Sequence, residues 1–283
     1  MDTEFKEKPF EKYFSIELAR LTKFTFSPDP CDESFLGFDD AFWMPLPWMA
    51  MHMPYVRHRR RARRQGFSIS ELEHIADEFA ERMPPYRFNL FVQYKRPVRL
   101  ISQVAPEWGE WGTAYYRYIT TPHQQALLVK IEEQSHGRAA TVYASPAFWR
   151  ASELFEFAKN ETVVANSNIA SVGRLSGHHC YTYINAGFQG KGHSEAMDIS
   201  SPSLEEVVTQ GLQGDAVPFK RHLKQTANLI AESVDSSEDA APLFQQARAA
   251  LVDENVGNDS LTGALATISA FCDAFSVSYY AMG

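Results

Sequence analysis

The strongest single constraint on this chain is YRFNLFVQYKRP at residues 86–97, which predicts a β-strand. Phe88, Leu90 and Val92 alternate with Asn89, Phe91 and Gln93, the period-two signature of a strand. Pro84-Pro85 before the run and Pro97 at its end bound it. The same alternation sets a chemical problem. Gln93 and Lys95 fall on one face, and polar groups on an apolar strand need either solvent or partners. A solvated edge strand is the plain explanation, and a functional site is the other.

The flanking pattern predicts α/β alternation around a sheet. Residues 11–24 predict a helix with Phe14, Leu18 and Leu21 as its apolar stripe. The stretch 27–34 is a loop by its prolines and acids, and FLGFDDAFW (35–43) predicts a strand. Residues 69–83 predict a helix burying Leu72, Ile75, Phe79 and Met83. After a short strand ending in TAYYRYITT, Thr121-Pro122 opens a helix over 123–134 that Gly137 closes. A buried strand over 138–148 and a helix over 148–160 follow. In the second half, 163–175 and 178–187 read as extended, and GFQGKGHSE (187–195) reads as a glycine-rich turn. Helices are expected at 203–213, 219–233, 240–252 and 261–280. The expected division is a core over 1–160, with an insertion at about 45–85, and a region over 161–283 of extended strands and then helices, packed on that core.

Composition narrows the function classes. The chain has 283 residues, 45% of them hydrophobic and 22% charged, so a full core is possible and disorder is not expected. Three scattered cysteines, Cys31, Cys180 and Cys272, give no disulfide framework and fit a reducing, cytoplasmic compartment. Residues 1–13 are too charged for a secretory signal. The uncharged run 41–56 is short for a membrane span and is broken by Pro45, Pro47 and Pro54, so no membrane association is expected. A net charge of −8 excludes a uniformly basic nucleic-acid coat. It leaves room for a local basic site, because Arg57, Arg59, Arg60, Arg61, Arg63 and Arg64 stand within eight residues.

The order of polar residues then acquires meaning. Glu17 lies on the first predicted helix, Asp39 on the first strand after Gly37-Phe38, and Gln93-Tyr94-Lys95 at the end of the strongest strand. A helix (123–134) and a strand (138–145) follow. This order resembles the PD-(D/E)xK nuclease superfamily in its Q-x-K variant, over roughly residues 11–150. The resemblance implies a restriction-endonuclease-like fold: a central mixed sheet flanked by helices. It implies Mg²⁺- or Mn²⁺-dependent phosphodiester hydrolysis, with DNA as the expected substrate and restriction or antiviral defence as a use. Within it, Asp39 would be the main carboxylate ligand, Gln93 would supply an amide oxygen, Tyr94 its backbone carbonyl, and Glu17 would complete the shell. Lys95 would orient the attacking water or stabilise charge on the phosphate. Asp40 competes with Asp39 and Glu33 with Glu17. Gln93 in place of a carboxylate lowers the negative charge of the site.

The arginine run, with Arg96 and Arg99 beyond the Q-x-K strand, would position a nucleic-acid backbone without reading sequence. The other course is an acidic protein surface. His123 and Gln124 open a helix whose N-terminus favours phosphate; the other reading is ordinary helix-start residues, and it is the preferred one for His123. His178, His179 and His193 match no zinc spacing, and His178 and His179 face opposite ways on a strand. Cys180 reads as a core thiol, and Trp108 and Trp111 as packing residues. Leu243, Ala247 and Leu251, at i, i+4, i+8, form an apolar face that would either pack on its own domain or meet a second copy or a partner protein. The alternative to a nuclease is therefore a non-catalytic binding subunit that keeps the fold.

Overall fold

A computed structural model describes residues 1–22, 25–27, 42–43, 77, 80–251 and 257–283. In chain order these residues form α1 (Glu7–Leu18), β1 (Thr25–Phe26), β2 (Phe42–Trp43), β3 (Phe88–Tyr94), β4 (Val98–Leu100), α2 (Trp108–Trp111), β5 (Tyr115–Ile119), α3 (Pro122–Gln134), β6 (Ala139–Pro146) and α4 (Ala151–Asn160). Then come β7 (Ser167–Ser171), a 3₁₀ turn (Gly173–Leu175), β8 (Cys180–Tyr183), β9 (Gln189–His193), β10 (Met197–Ser200), α5 (Leu204–Gly211), α6 (Phe219–Asp235), α7 (Ala240–Leu251), α8 (Leu261–Phe275) and β11 (Ser278–Met282). The described residues form a mixed α/β chain with two sheets and a helical C-terminal region.

Two compact units are interleaved along the sequence. One comprises 1–21, 90–211 and 276–278; the other comprises 22–89, 212–275 and 279–283. Neither coincides with a division at residue 160.

In the first unit, β3 from Leu90 onward, β6 and β7 lie side by side, with β6 and β7 antiparallel from Val142↔Ser171 to Pro146↔Ser167. A second, antiparallel sheet has the order β10-β9-β8-β5-β4. Its β5 and β8 pair Tyr116 with Tyr183 and Tyr118 with Tyr181, so the period-two alternation lines one face with tyrosines. That face meets β6, where the Tyr118 and Tyr143 rings stand 5.8 Å apart. Helix α1 buries Phe10, Phe14 and Leu18, and its two phenylalanines pack edge-on against Tyr94 at 5.8 and 5.4 Å. Leu21, expected on this stripe, is exposed, because the helix starts earlier and ends at Leu18.

In the second unit, β1 pairs antiparallel with β2 and with β11. Tyr86 and Val217 exchange both backbone hydrogen bonds at 2.8 Å. The Asn89 Oδ1 accepts from His222 Nε2 (2.7 Å), Tyr279 Oη (2.8 Å) and Thr226 Oγ1 (3.3 Å), so the polar member of the strand alternation is satisfied inside the core.

Three expectations are corrected. Strand β3 is buried along its whole length, so it is not a solvated edge strand. The 187–195 segment contains a strand, β9, and not only a turn: the Tyr181 ring lies where a Gly190 Cβ would be, 2.3 Å from it, and only glycine lets β9 approach β8 there. The last helix stops at Phe275, where Ser276 takes a left-handed conformation (φ 50°), and the chain ends in β11. Of the strand expected at 35–43, only Phe42–Trp43 falls among the described residues. Of the helix expected at 69–83, residues 77 and 80–83 do; 77 and 80–82 are helical, and Met83 is a buried bend just after them.

Candidate functional site

The end of β3 is where the first unit gathers polar chemistry. A strand buried on both faces places Gln93 among neighbours, 3% exposed, and not in solvent. Its Nε2 donates to Gln124 Oε1 at 3.0 Å. Gln124 sits in the first turn of α3, which Thr121 and Pro122 open as their sequence predicts. The N-terminal end of a 13-residue helix therefore stands beside the Q-x-K residues. Such an end carries partial positive charge and unpaired N–H groups.

Lys95 follows the last residue of β3, and the peptide units on both sides of its Cα are held by β6. Its N–H donates to the Ala144 carbonyl at 2.9 Å, and its carbonyl accepts from Ser145 Oγ at 3.0 Å. The ammonium lies over the Tyr143 ring, 5.2 Å from the centroid, a cation–π arrangement. Burial pushes the amine down to about 8, and the nearby Glu7 carboxylate opposes that shift. Glu7, the first residue of α1, is itself raised by burial, with Lys95 opposing. Two partly buried, oppositely charged groups thus stabilise each other's charged forms against desolvation.

The remaining candidates are distributed differently. Both Glu17 oxygens accept backbone N–H groups, from Val163 at 2.7 Å and Val164 at 2.8 Å, so this carboxylate ties α1 to the segment after α4. The Tyr94 ring packs against α1, and its hydroxyl lies 3.4 Å from Ser15 Oγ. The exposed Arg96 donates to the Thr3 carbonyl, and the Arg99 guanidinium stacks over Trp149 at 5.6 Å. Asp39, Asp40, Glu33 and the run Arg57, Arg59, Arg60, Arg61, Arg63 and Arg64 lie outside the described residues.

Sequence reasoning missed Glu7, Tyr143 and Ser145, and for Gln124 it left a phosphate-facing and an ordinary helix-start reading both open. Glu7 lies 88 residues before Lys95, so no local spacing signals the pair. Gln124 carried a weak signal, its place just inside a Thr-Pro helix start.

Other polar clusters serve the scaffold. His178 is buried and His179 exposed, the opposite facing expected of them. Thr182 Oγ1 accepts from Trp111 Nε1 (3.0 Å) and lies 2.7 Å from His193 Nε2, which pins α2 on the five-stranded sheet. Cys180 is fully buried, and burial pushes its thiol up to about 11 against the opposing pull of Arg117, which suits a core thiol and not a nucleophile.

Among the described residues no three His, Cys, Asp or Glu side chains group to hold a metal ion. Glu7 is the carboxylate coupled to Lys95, and a hard divalent cation wants more oxygen donors than it and the Gln93 amide supply. No helix among the described residues is long and apolar enough to cross a membrane. No family model, no curated protein and no solved structure matches the chain.

Proposed function

We propose that this chain is a nuclease of the Q-x-K type, hydrolysing phosphodiester bonds of DNA with Mg²⁺ or Mn²⁺. The observation that carries the reading is the Gln93–Gln124 hydrogen bond, which joins the Q-x-K strand end to the N-terminus of α3. An ammonium from one element and a helix N-terminus from another then serve one anionic centre. Lys95, charged at neutral pH and partly desolvated, stabilises negative charge developing on a phosphate more strongly than a solvated lysine would. The divalent-ion requirement rests on Asp39, outside the described residues, because the described donors are too few.

The test is cleavage of plasmid DNA and of RNA with Mg²⁺ or Mn²⁺. Wild type is expected to cut DNA, and Lys95→Ala and Asp39→Ala are each expected to lose roughly 100-fold or more in rate while remaining folded. Wild type inert on both nucleic acids, or both variants cutting at the wild-type rate, would overturn the proposal. A second reading, a non-catalytic binding subunit, is favoured by the way both Glu17 oxygens are held by backbone N–H groups. Tight nucleic-acid binding without divalent-ion affinity or cleavage would select it.

A further inference from the structure

Strand β3 ends at Tyr94, so Lys95 stands where a ladder normally frays. Its carbonyl is nonetheless bonded to Ser145 Oγ at 3.0 Å. The Ser145 hydroxyl in turn accepts from Tyr183 Oη at 2.7 Å, and Tyr183 Oη also lies 2.7 Å from the Pro146 carbonyl. Ser145 is on β6, and Tyr183 is on β8 of the five-stranded sheet. Both side chains are fully buried. The serine has one hydrogen; directed at Lys95, it leaves only lone pairs for Tyr183. Burial raises the Tyr183 phenol well above its ordinary range, so it stays a neutral donor.

We infer that Ser145 and Tyr183 are positioning residues for Lys95: a buried chain from Tyr183 through Ser145 to the Lys95 carbonyl holds the lysine peptide against β6 so that its ammonium sits over Tyr143. The inference rests on the nuclease reading for its kinetic consequence, but not for its structural one. The chain gives the five-stranded sheet a role at Lys95. Without it the Lys95 N–H bond to Ala144 remains, but the peptide unit on the C-terminal side of Lys95 loses the bond to its carbonyl. Ångström-scale misplacement of a catalytic group costs on the order of 100-fold in rate.

The experiment compares Tyr183→Phe, Ser145→Ala and the double variant with wild type. The expected kinetic result is a kcat for DNA cleavage lowered at least tenfold in each single variant, with KM within twofold. The double variant should be no slower than the slower single one, because both act through one chain. Amide hydrogen exchange supplies a second readout that needs no activity. The Lys95 amide should exchange at least tenfold faster in each variant, while residues 90–92 keep wild-type protection. Tyr183→Phe removes one oxygen and keeps the ring, so it carries the test if Ser145→Ala does not fold. Folded variants with wild-type kcat and wild-type Lys95 exchange would overturn the inference. So would a uniform loss of protection along β3, which marks a purely structural role. If wild type itself does not cleave, the nuclease reading falls, and faster exchange confined to Lys95 still supports the positioning chain.

Discussion

Lys95 combines a structural cost with a strongly desolvated ammonium. Burial holds its amine at about 8, below its value in an unfolded chain. Below about pH 8 both folded and unfolded chains carry the proton, and the full cost of burying the charge is present. As pH rises beyond that point the folded state sheds the proton first, and the cost is progressively relieved. Lys95→Met is therefore expected to raise stability at pH 7 by roughly 1–2 kcal/mol, an advantage that shrinks by about pH 10. Urea unfolding at the two pH values checks this; a pH-independent difference would show that packing, and not charge, is responsible. A residue that destabilises its fold in this way is characteristic of a functional site. Gln93 and Lys95 were legible from period two alone, but their partners were not. Gln124, Tyr143, Ser145 and Glu7 come from three other elements, and no spacing rule connects them.

At the level of elements, the boundaries written in local chemistry were the readable ones. Thr121-Pro122 and Gly137 bracket α3 because a proline suits a first helical turn and Gly137 adopts φ 83° after the last one. Strand β9 was unreadable for the opposite reason. Its glycines look like turn residues, yet Gly190 and Gly192 are required by the Tyr181 and His178 rings that lie against them, an arrangement made only after β8 and β9 pair. The same distinction governs Glu17, whose helix position was legible and whose backbone partners were not. Glu17→Ala leaves two N–H groups without their carboxylate, and is expected to cost about 1–3 kcal/mol. Glu17→Gln keeps an acceptor oxygen and is expected to cost less. If Glu17 serves only the scaffold, the glutamine variant cleaves DNA at the wild-type rate; a loss approaching that of Lys95→Ala would return Glu17 to the reacting centre. Thermal unfolding and cleavage measured on the same preparations separate these outcomes.

On the scale of the whole molecule, a net charge of −8 coexists with six arginines in residues 57–64. If the run binds a nucleic-acid backbone, affinity falls with salt, with a log–log slope near about −0.9 per phosphate neutralised on a duplex. Replacing the six arginines by serine is expected to weaken binding and to flatten that slope by about 0.9 for every phosphate that is no longer neutralised. An unchanged slope would assign the run to a protein surface instead. The interleaved units also shape folding. Asn89 meets Tyr279 across 190 residues, and β1 pairs with β11 from the far end of the chain. Pairings of such sequence separation make formation slow, because a long loop closes before the pairing forms.

By itself the sequence determined the α/β class, the presence of a strand within 86–97 and the opening of α3. All of these follow from periodicity and local backbone sterics, which act over a few residues. Only the tertiary structure decided that Glu17 holds backbone amides, that Glu7 is the acid coupled to Lys95, and that the five-stranded sheet reaches the Lys95 peptide through Tyr183 and Ser145. Those outcomes depend on which desolvated groups meet across sheets and helices, and burial makes each such group take a partner that sequence distance does not reveal.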